Sequence, residues 1–307
     1  MPSKATSIIY MGTPEFAVPP LESLVQNGYD VRAVITVADK PAGRGRKLQS
    51  SAVKLKAEAL NIPVLQPTSL KDPSFLAELK KIDADLFIVV AFRMLPKEVW
   101  SMPRLGTFNL HGSLLPELRG AAPIHWAIIN GMQKTGLTTF FLDEQIDTGS
   151  ILLQSEQIIN PEWTTGDLHD ALMPLGATLV LNTVEQLEAG TLRSYPQNDQ
   201  KASHAPKLTK ANTELDFSKD PKALIQQIKG LSPFPSAHYK GFKFLNAAPT
   251  LDLEKGTSTP KLKAVGKKLL LVYALGSVEI LEIKPEGKRA MAAQDFVNGM
   301  KTPDIQL

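Results

Sequence analysis

Over its first 190 residues the chain alternates between short apolar, β-branched stretches and stretches with apolar residues at helical spacing. That alternation restricts the possible folds more than any other feature. Strand-like runs fall at 7–11, 31–37, 63–65, 86–90, 107–111 and 137–142. Helix-like stretches lie between them at 15–27, 51–60 and 73–81, from about 123, and at 165–188 before Gly190. Strands alternating with helices predict an α/β fold with a mainly parallel sheet covered on both faces.

The pattern breaks after Gly190. Residues 194–210 are polar, contain two prolines and show no periodicity, which reads as a linker. One helix at 221–229 follows, then short strands such as 268–273 and 277–283 separated by Gly, Pro and Lys, the pattern of a small β-barrel. A length of 307 residues suits two domains. The expected division is a first domain at 1–190, a linker at 191–210 and a second domain at 211–307.

Charge separates the two parts. Residues 208–307 carry 15 Lys/Arg against 10 Asp/Glu, a net of +5, whereas residues 1–207 carry 19 against 21, a net of −2. A positive second domain suggests a polyanionic partner, or a solubility surface. The absence of cysteine excludes disulfides, thiolate zinc sites and cysteine nucleophiles. The longest apolar runs, 86–92 and 269–275, are far shorter than the roughly 20 residues of a membrane helix. The N-terminus has no signal-peptide cleavage pattern. The cytoplasm is the expected compartment.

The most informative stretch is 106–123, GTFNLHGSLLPELRGAAP. Side chains two apart on a strand share a face, so Asn109 and His111 project side by side where the strand breaks at Gly112. Ligands of open parallel sheets bind beyond the carboxyl ends of the strands. An imidazole there handles protons near neutral pH, and an amide can stabilise an oxyanion; the structural alternative is a strand-end cap. A carboxylate is needed to orient such a histidine. Asp147, Asp143 and Glu144 all qualify, in a loop after the strand at 137–142, and spacing does not choose among them. The other histidines, His125, His169, His204 and His238, lack metal-ligand spacing and read as structural.

Gly12 is the one glycine in the first strand-to-helix turn, Gly12-Thr13-Pro14-Glu15, where a dinucleotide fingerprint needs three. That excludes a nicotinamide or flavin dehydrogenase. The segment 40–48, KPAGRGRKL, places Lys40, Arg44, Arg46 and Lys47 around Gly43 and Gly45. A flexible basic loop at the ligand end of the sheet suits phosphates, although a solvated loop would look the same. Its glycine and lysine spacing is not that of a Walker loop.

Taken together, MGTPEFAV at 11–18, KPAGRGRKL at 40–48, FNLHGSLLPELRGAAPIHWAI at 108–128, DEQIDTGSIL at 143–152 and ASHAPKLTK at 202–210 resemble the folate-dependent formyltransferase family, in the branch that acts on methionyl-tRNA. The resemblance spans essentially the whole chain. It implies a Rossmann-like catalytic domain, an OB-like C-terminal barrel that binds tRNA, and a monomer. It implies the catalytic trio Asn109, His111 and Asp147, a folate site lined by Ser113, Leu114, Leu115 and Pro116, and tRNA contacts from Lys40, Arg44, Arg46 and Lys47. The implied reaction moves the formyl group of 10-formyltetrahydrofolate to initiator methionyl-tRNA without a metal. One departure is Phe92-Arg93-Met94 before Leu95-Pro96, where the family often has an aromatic–glycine pair beside the folate pocket. Formyl transfer to a small amine and a non-catalytic RNA-binding protein are the alternatives. The basic loop and the lysine-rich second domain count against the first, and the catalytic trio against the second.

Overall fold

A computed structural model describes residues 6–42, 47–251 and 257–307. Their contacts divide the chain into two compact units. One comprises 1–119, 136–157 and 170–204, and the other 120–135, 158–169 and 205–307.

The first unit is organised by a seven-stranded sheet. Its strand order is Ile151–Ile158, Lys134–Phe141, Thr107–His111, Leu86–Val90, Ser7–Gly12, Asp30–Ile35, Val64–Leu65. From Thr107–His111 to Val64–Leu65 every neighbouring pair is parallel. Ser7–Gly12 and Leu86–Val90 are buried along their whole length, as expected for strands with both faces covered. Lys134–Phe141 runs antiparallel to Thr107–His111 and pairs Thr138 with His111. Hydrophobic pattern carries no information on strand direction, so sequence could identify this strand but not its orientation. The chain winds outward from Ser7–Gly12 on one side, then returns to its other side at Leu86–Val90. A crevice is therefore expected beyond the carboxyl ends of these two strands.

Local chemistry sets the element boundaries. Asp72 caps the helix Pro73–Ile82 by accepting from the amides of Ser74 and Phe75 at 2.9 and 3.2 Å, and Pro73 occupies its first turn. The helix buries Phe75 and Leu79 and ends at Asp83, which takes the left-handed conformation. Gly12 has a packing reason: a Cβ there would meet the Ala17 Cβ at 2.7 Å and the Val90 carbonyl at 3.1 Å. Beneath the sheet, Ile9, Met11, Ala33, Ile35, Phe87 and Val89 join Phe75, Leu79 and Val99 in one apolar cluster.

The second unit contains an antiparallel, barrel-like sheet. Its path is Ala237–Tyr239, Phe242–Ala248, Gly276–Lys284, Lys268–Tyr273, Lys261–Val265, Asp304–Gln306, with Met291–Ala292 added on Gly276–Lys284. The helix Pro221–Gly230 contributes Leu224, Ile225 and Ile228 to a core with Phe244, Leu269, Leu271 and Ile280. Among the described residues no helix is long and apolar enough to cross a membrane.

Candidate active site

Asn109 and His111 lie on Thr107–His111, opposite Phe140 and Thr138 of the neighbouring strand. His111 is 5% exposed and meets Phe140 edge to face at 6.3 Å between ring centres. Its Nε2 lies 2.9 Å from the Leu118 carbonyl. A carbonyl only accepts, so Nε2 carries a proton and donates it. Nδ1 is thereby left as the nitrogen that gains or loses one.

Asp147 faces that nitrogen, with Oδ2 3.8 Å from Nδ1 and side-chain exposures of 13% for Asp147 and 6% for His111. This separation is ion-pair range but too long for a direct hydrogen bond. The two competing carboxylates are held elsewhere. Asp143 accepts from the Thr148 hydroxyl at 2.8 Å and the Gln145 amide at 3.0 Å. Glu144 forms an exposed pair with Lys97 at 2.5 Å, which lowers the Glu144 pKa and raises that of Lys97.

Five described non-glycine residues of this unit have left-handed backbone: Asn61 and Asp83 away from His111, and Ala91 at φ 48°, Leu118 at φ 57° and Asp147 at φ 56°. Each costs of order 1–3 kcal/mol and persists where surrounding structure enforces it. Ala91 follows the central strand Leu86–Val90, Leu118 supplies the carbonyl that holds His111, and Asp147 is the facing carboxylate. The buried Asn109 Oδ1 has no hydrogen-bond partner. An unsatisfied buried polar atom costs about 1–3 kcal/mol, and its position at a strand end fits a polar group of a substrate.

The turn Ser113-Leu114-Leu115-Pro116 is fastened to the next strand. Thr138 Oγ1 donates to the Ser113 carbonyl at 2.7 Å and accepts from the Leu115 amide at 3.0 Å. Gln154 Nε2 donates to the Leu115 carbonyl at 2.9 Å. Ser113 is fully buried and donates to the Glu117 carbonyl at 2.5 Å. Leu115 is 3% exposed and packs with Phe140, Ile151 and Leu142, whereas Leu114 and Pro116 remain half-buried. Sequence reasoning missed Thr138 and Gln154. The register placing Thr138 opposite His111 is the signal that marks it, and it becomes visible only once the strands are paired.

Arg93 turns towards 67–68, donating to the Pro67 carbonyl at 2.5 Å and the Thr68 carbonyl at 3.0 Å. Burial lowers its pKa. Lys40 is exposed and begins a short strand, Lys40–Ala42, that pairs antiparallel with Lys47–Gln49. Arg44 and Arg46 lie outside the described residues. Asp39 precedes this hairpin and accepts from Lys54 at 2.5 Å and Gln66 at 2.9 Å, interactions that lower its pKa, Lys54 most.

The chain matches known proteins over most of its length. The formyl transferase family model matches residues 6–184, and its C-terminal domain model matches 207–301. A methionyl-tRNA formyltransferase of Flavobacterium johnsoniae is 48% identical over 306 residues, covering 97% of both chains. One of Bacteroides fragilis is 43% identical, covering 95% of this chain and 94% of its own. Among solved structures, the sugar 3N-formyl transferase WlaRD superposes with a TM-score of 0.68 at 18% identity, covering 94% of this chain and all of its own. HypX from Aquifex aeolicus in complex with tetrahydrofolic acid gives 0.66 at 17% identity, covering 96% of this chain and 47% of that one.

Proposed function

This chain belongs to the formyl transferase family, and we propose that it moves the formyl group of 10-formyltetrahydrofolate onto the α-amino group of initiator methionyl-tRNA. The observation that carries the tRNA acceptor is the 48% identity to a methionyl-tRNA formyltransferase across 97% of the chain, C-terminal unit included. That region bears the net charge of +5 over residues 208–307, which suits a polyanionic substrate.

In the proposed reaction the neutral methionine amine attacks the formyl carbon, the carbon–N10 bond breaks, the amine loses a proton and N10 gains one. Asn109 serves both partners. Its Oδ1 accepts from the incoming amine, and its amide NH2 donates to the formyl oxygen as negative charge develops there. His111 works through Nδ1, because Nε2–H is committed to Leu118. With Nδ1 protonated, the ring supplies a positive charge and a proton beside the reacting centre, with the Asp147 carboxylate 3.8 Å away. With Nδ1 bare, it takes the proton shed by the amine. The turn Ser113-Leu114-Leu115-Pro116 offers the half-buried Leu114 and Pro116 as apolar surface for the folate. Lys40, Arg44, Arg46 and Lys47 take phosphates of the acceptor arm.

Incubation with 10-formyltetrahydrofolate and, separately, charged initiator tRNA, an amino sugar nucleotide and glycinamide ribonucleotide tests the acceptor. Formylation of the tRNA alone is the expected result. Efficient formylation of a small amine, with none of tRNA, overturns the assignment.

A further inference from the structure

We infer that Gln197 is a positioning residue that sets the Asp147 carboxylate against His111. The inference rests on the role given to Asp147 above. Gln197 lies in the polar stretch that has no periodicity in sequence, yet every hydrogen-bonding position of its side-chain amide is used. Nε2 donates to the carbonyls of Asp147 at 2.9 Å and Gly149 at 2.8 Å. Oε1 accepts from Arg119 Nε at 3.0 Å and Nη2 at 2.7 Å. Two donors and two acceptors at one side-chain tip are what only a carboxamide provides. Glutamate would keep Arg119 but set carboxylate oxygens against two carbonyls. Lysine would serve the carbonyls but face the guanidinium.

The loop that Gln197 holds carries a strained backbone. Asp147 has left-handed backbone at φ 56°. Gly149 lies so close to the Phe141 carbonyl that no Cβ fits. Clamping the carbonyls at both ends of this three-residue turn fixes where the Asp147 side chain leaves it. Arg119, only 11% exposed at its side chain, is itself fixed by Asp199 at 2.7 Å. The same segment reaches the other partner: Ser203 Oγ accepts from the Leu118 amide at 2.9 Å, and the Leu118 carbonyl holds His111. One stretch, 197–203, therefore braces both sides of the 3.8 Å gap between Nδ1 and the carboxylate.

The test is single-turnover formyl transfer by the full chain at saturating folate and charged tRNA, for Gln197→Leu, Gln197→Glu, Asp147→Asn and the double variant Gln197→Leu/Asp147→Asn. Small misplacement of a reacting group costs on the order of 100-fold in rate. Both Gln197 variants should lose the rate constant on this scale while KM for tRNA and folate stays near parental. In the Asp147→Asn background Gln197→Leu should cost nothing further, because residues acting through one group are not additive. Parental rates in the Gln197 variants overturn the inference, as does an equal loss with and without the Asp147 carboxylate. If Gln197→Leu does not fold, Gln197→Glu, which retains the Arg119 contact, decides alone. If Asp147→Asn is itself near parental, the fault lies in the catalytic assignment. If it is impaired and the Gln197 variants are not, only the positioning role falls.

Discussion

His111 donates through Nε2 to the carbonyl of Leu118 at 2.9 Å, and Leu118 holds that carbonyl in place from a left-handed backbone at φ 57°. This bond fixes the chemistry of the ring. In the neutral imidazole the proton sits on Nε2, leaving Nδ1 bare towards Asp147. Nitrogen-15 spectra at alkaline pH should show the His111 ring as the Nε2–H tautomer. A predominant Nδ1–H form contradicts the assignment.

Substitution should separate the three acidic candidates. Asn109→Ala and His111→Ala should fold and lose about 100- to 1,000-fold in kcat, the usual consequence of removing one group that stabilises developing charge. Asp147→Asn should also be severely impaired. Asp143→Asn and Glu144→Gln should keep near-parental kcat, because those carboxylates are occupied by Thr148 and by Lys97. Steady-state rates on charged tRNA check all five. A dead Asp143→Asn enzyme with an active Asp147→Asn enzyme would exchange their roles.

Asp85 gives a stability prediction with a defined pH window. The Ser7 amide, then the Ser7 hydroxyl and Arg104, lower its pKa from 3.8 to about 2, against some opposition from burial. A depressed carboxylate contributes stability above its unfolded pKa and loses it as pH falls through the folded value. The contribution, about 2 kcal/mol, should be complete above roughly pH 5 and vanish between about pH 4 and pH 2. Urea denaturation of the parent and Asp85→Asn at neutral pH and near pH 2.5 should show a gap that narrows at low pH. A gap independent of pH contradicts this.

Replacing Arg44, Arg46 and Lys47 with alanine should barely alter stability, since the stretch 43–47, GRGRK, has no apolar side chain to contribute to a core. It should lower kcat/KM for charged tRNA and reduce the salt slope by roughly 0.7–0.9 for each phosphate that is no longer neutralised. Folate affinity should be unchanged. Identical slopes in parent and triple variant would separate this loop from tRNA.

What the sequence revealed depended on periodicity. Leu86–Val90 and Thr107–His111 could be read to the residue because a buried parallel strand is a continuous apolar run, and Asn109 and His111 stand out at the polar end of one. Periodicity says nothing about strand direction, so the antiparallel pairing that sets Thr138 opposite His111 was not legible. Nor was the placement of Asp147 opposite His111 while Asp143 pairs with Thr148, which depends on backbone conformation. Gln197 and Ser203 were invisible for a related reason. Polar residues in an aperiodic segment carry no pattern, and their partners lie about 50 to 85 positions away. Leu115 and Leu114 looked equivalent in sequence. Only packing shows that Leu115 is committed to Phe140 and Ile151.

Asn109, His111 and Asp147 are proposed to act as one centre for formyl transfer to tRNA. The decisive experiment is single-turnover transfer from 10-formyltetrahydrofolate to charged initiator tRNA, comparing the parent, His111→Ala, Asp147→Asn and the double variant. The parent should formylate rapidly, each single variant should lose about 100-fold or more, and the double variant should be little worse than either. Parental rates in both single variants, or no formylated methionyl-tRNA from the parent, would contradict that proposal.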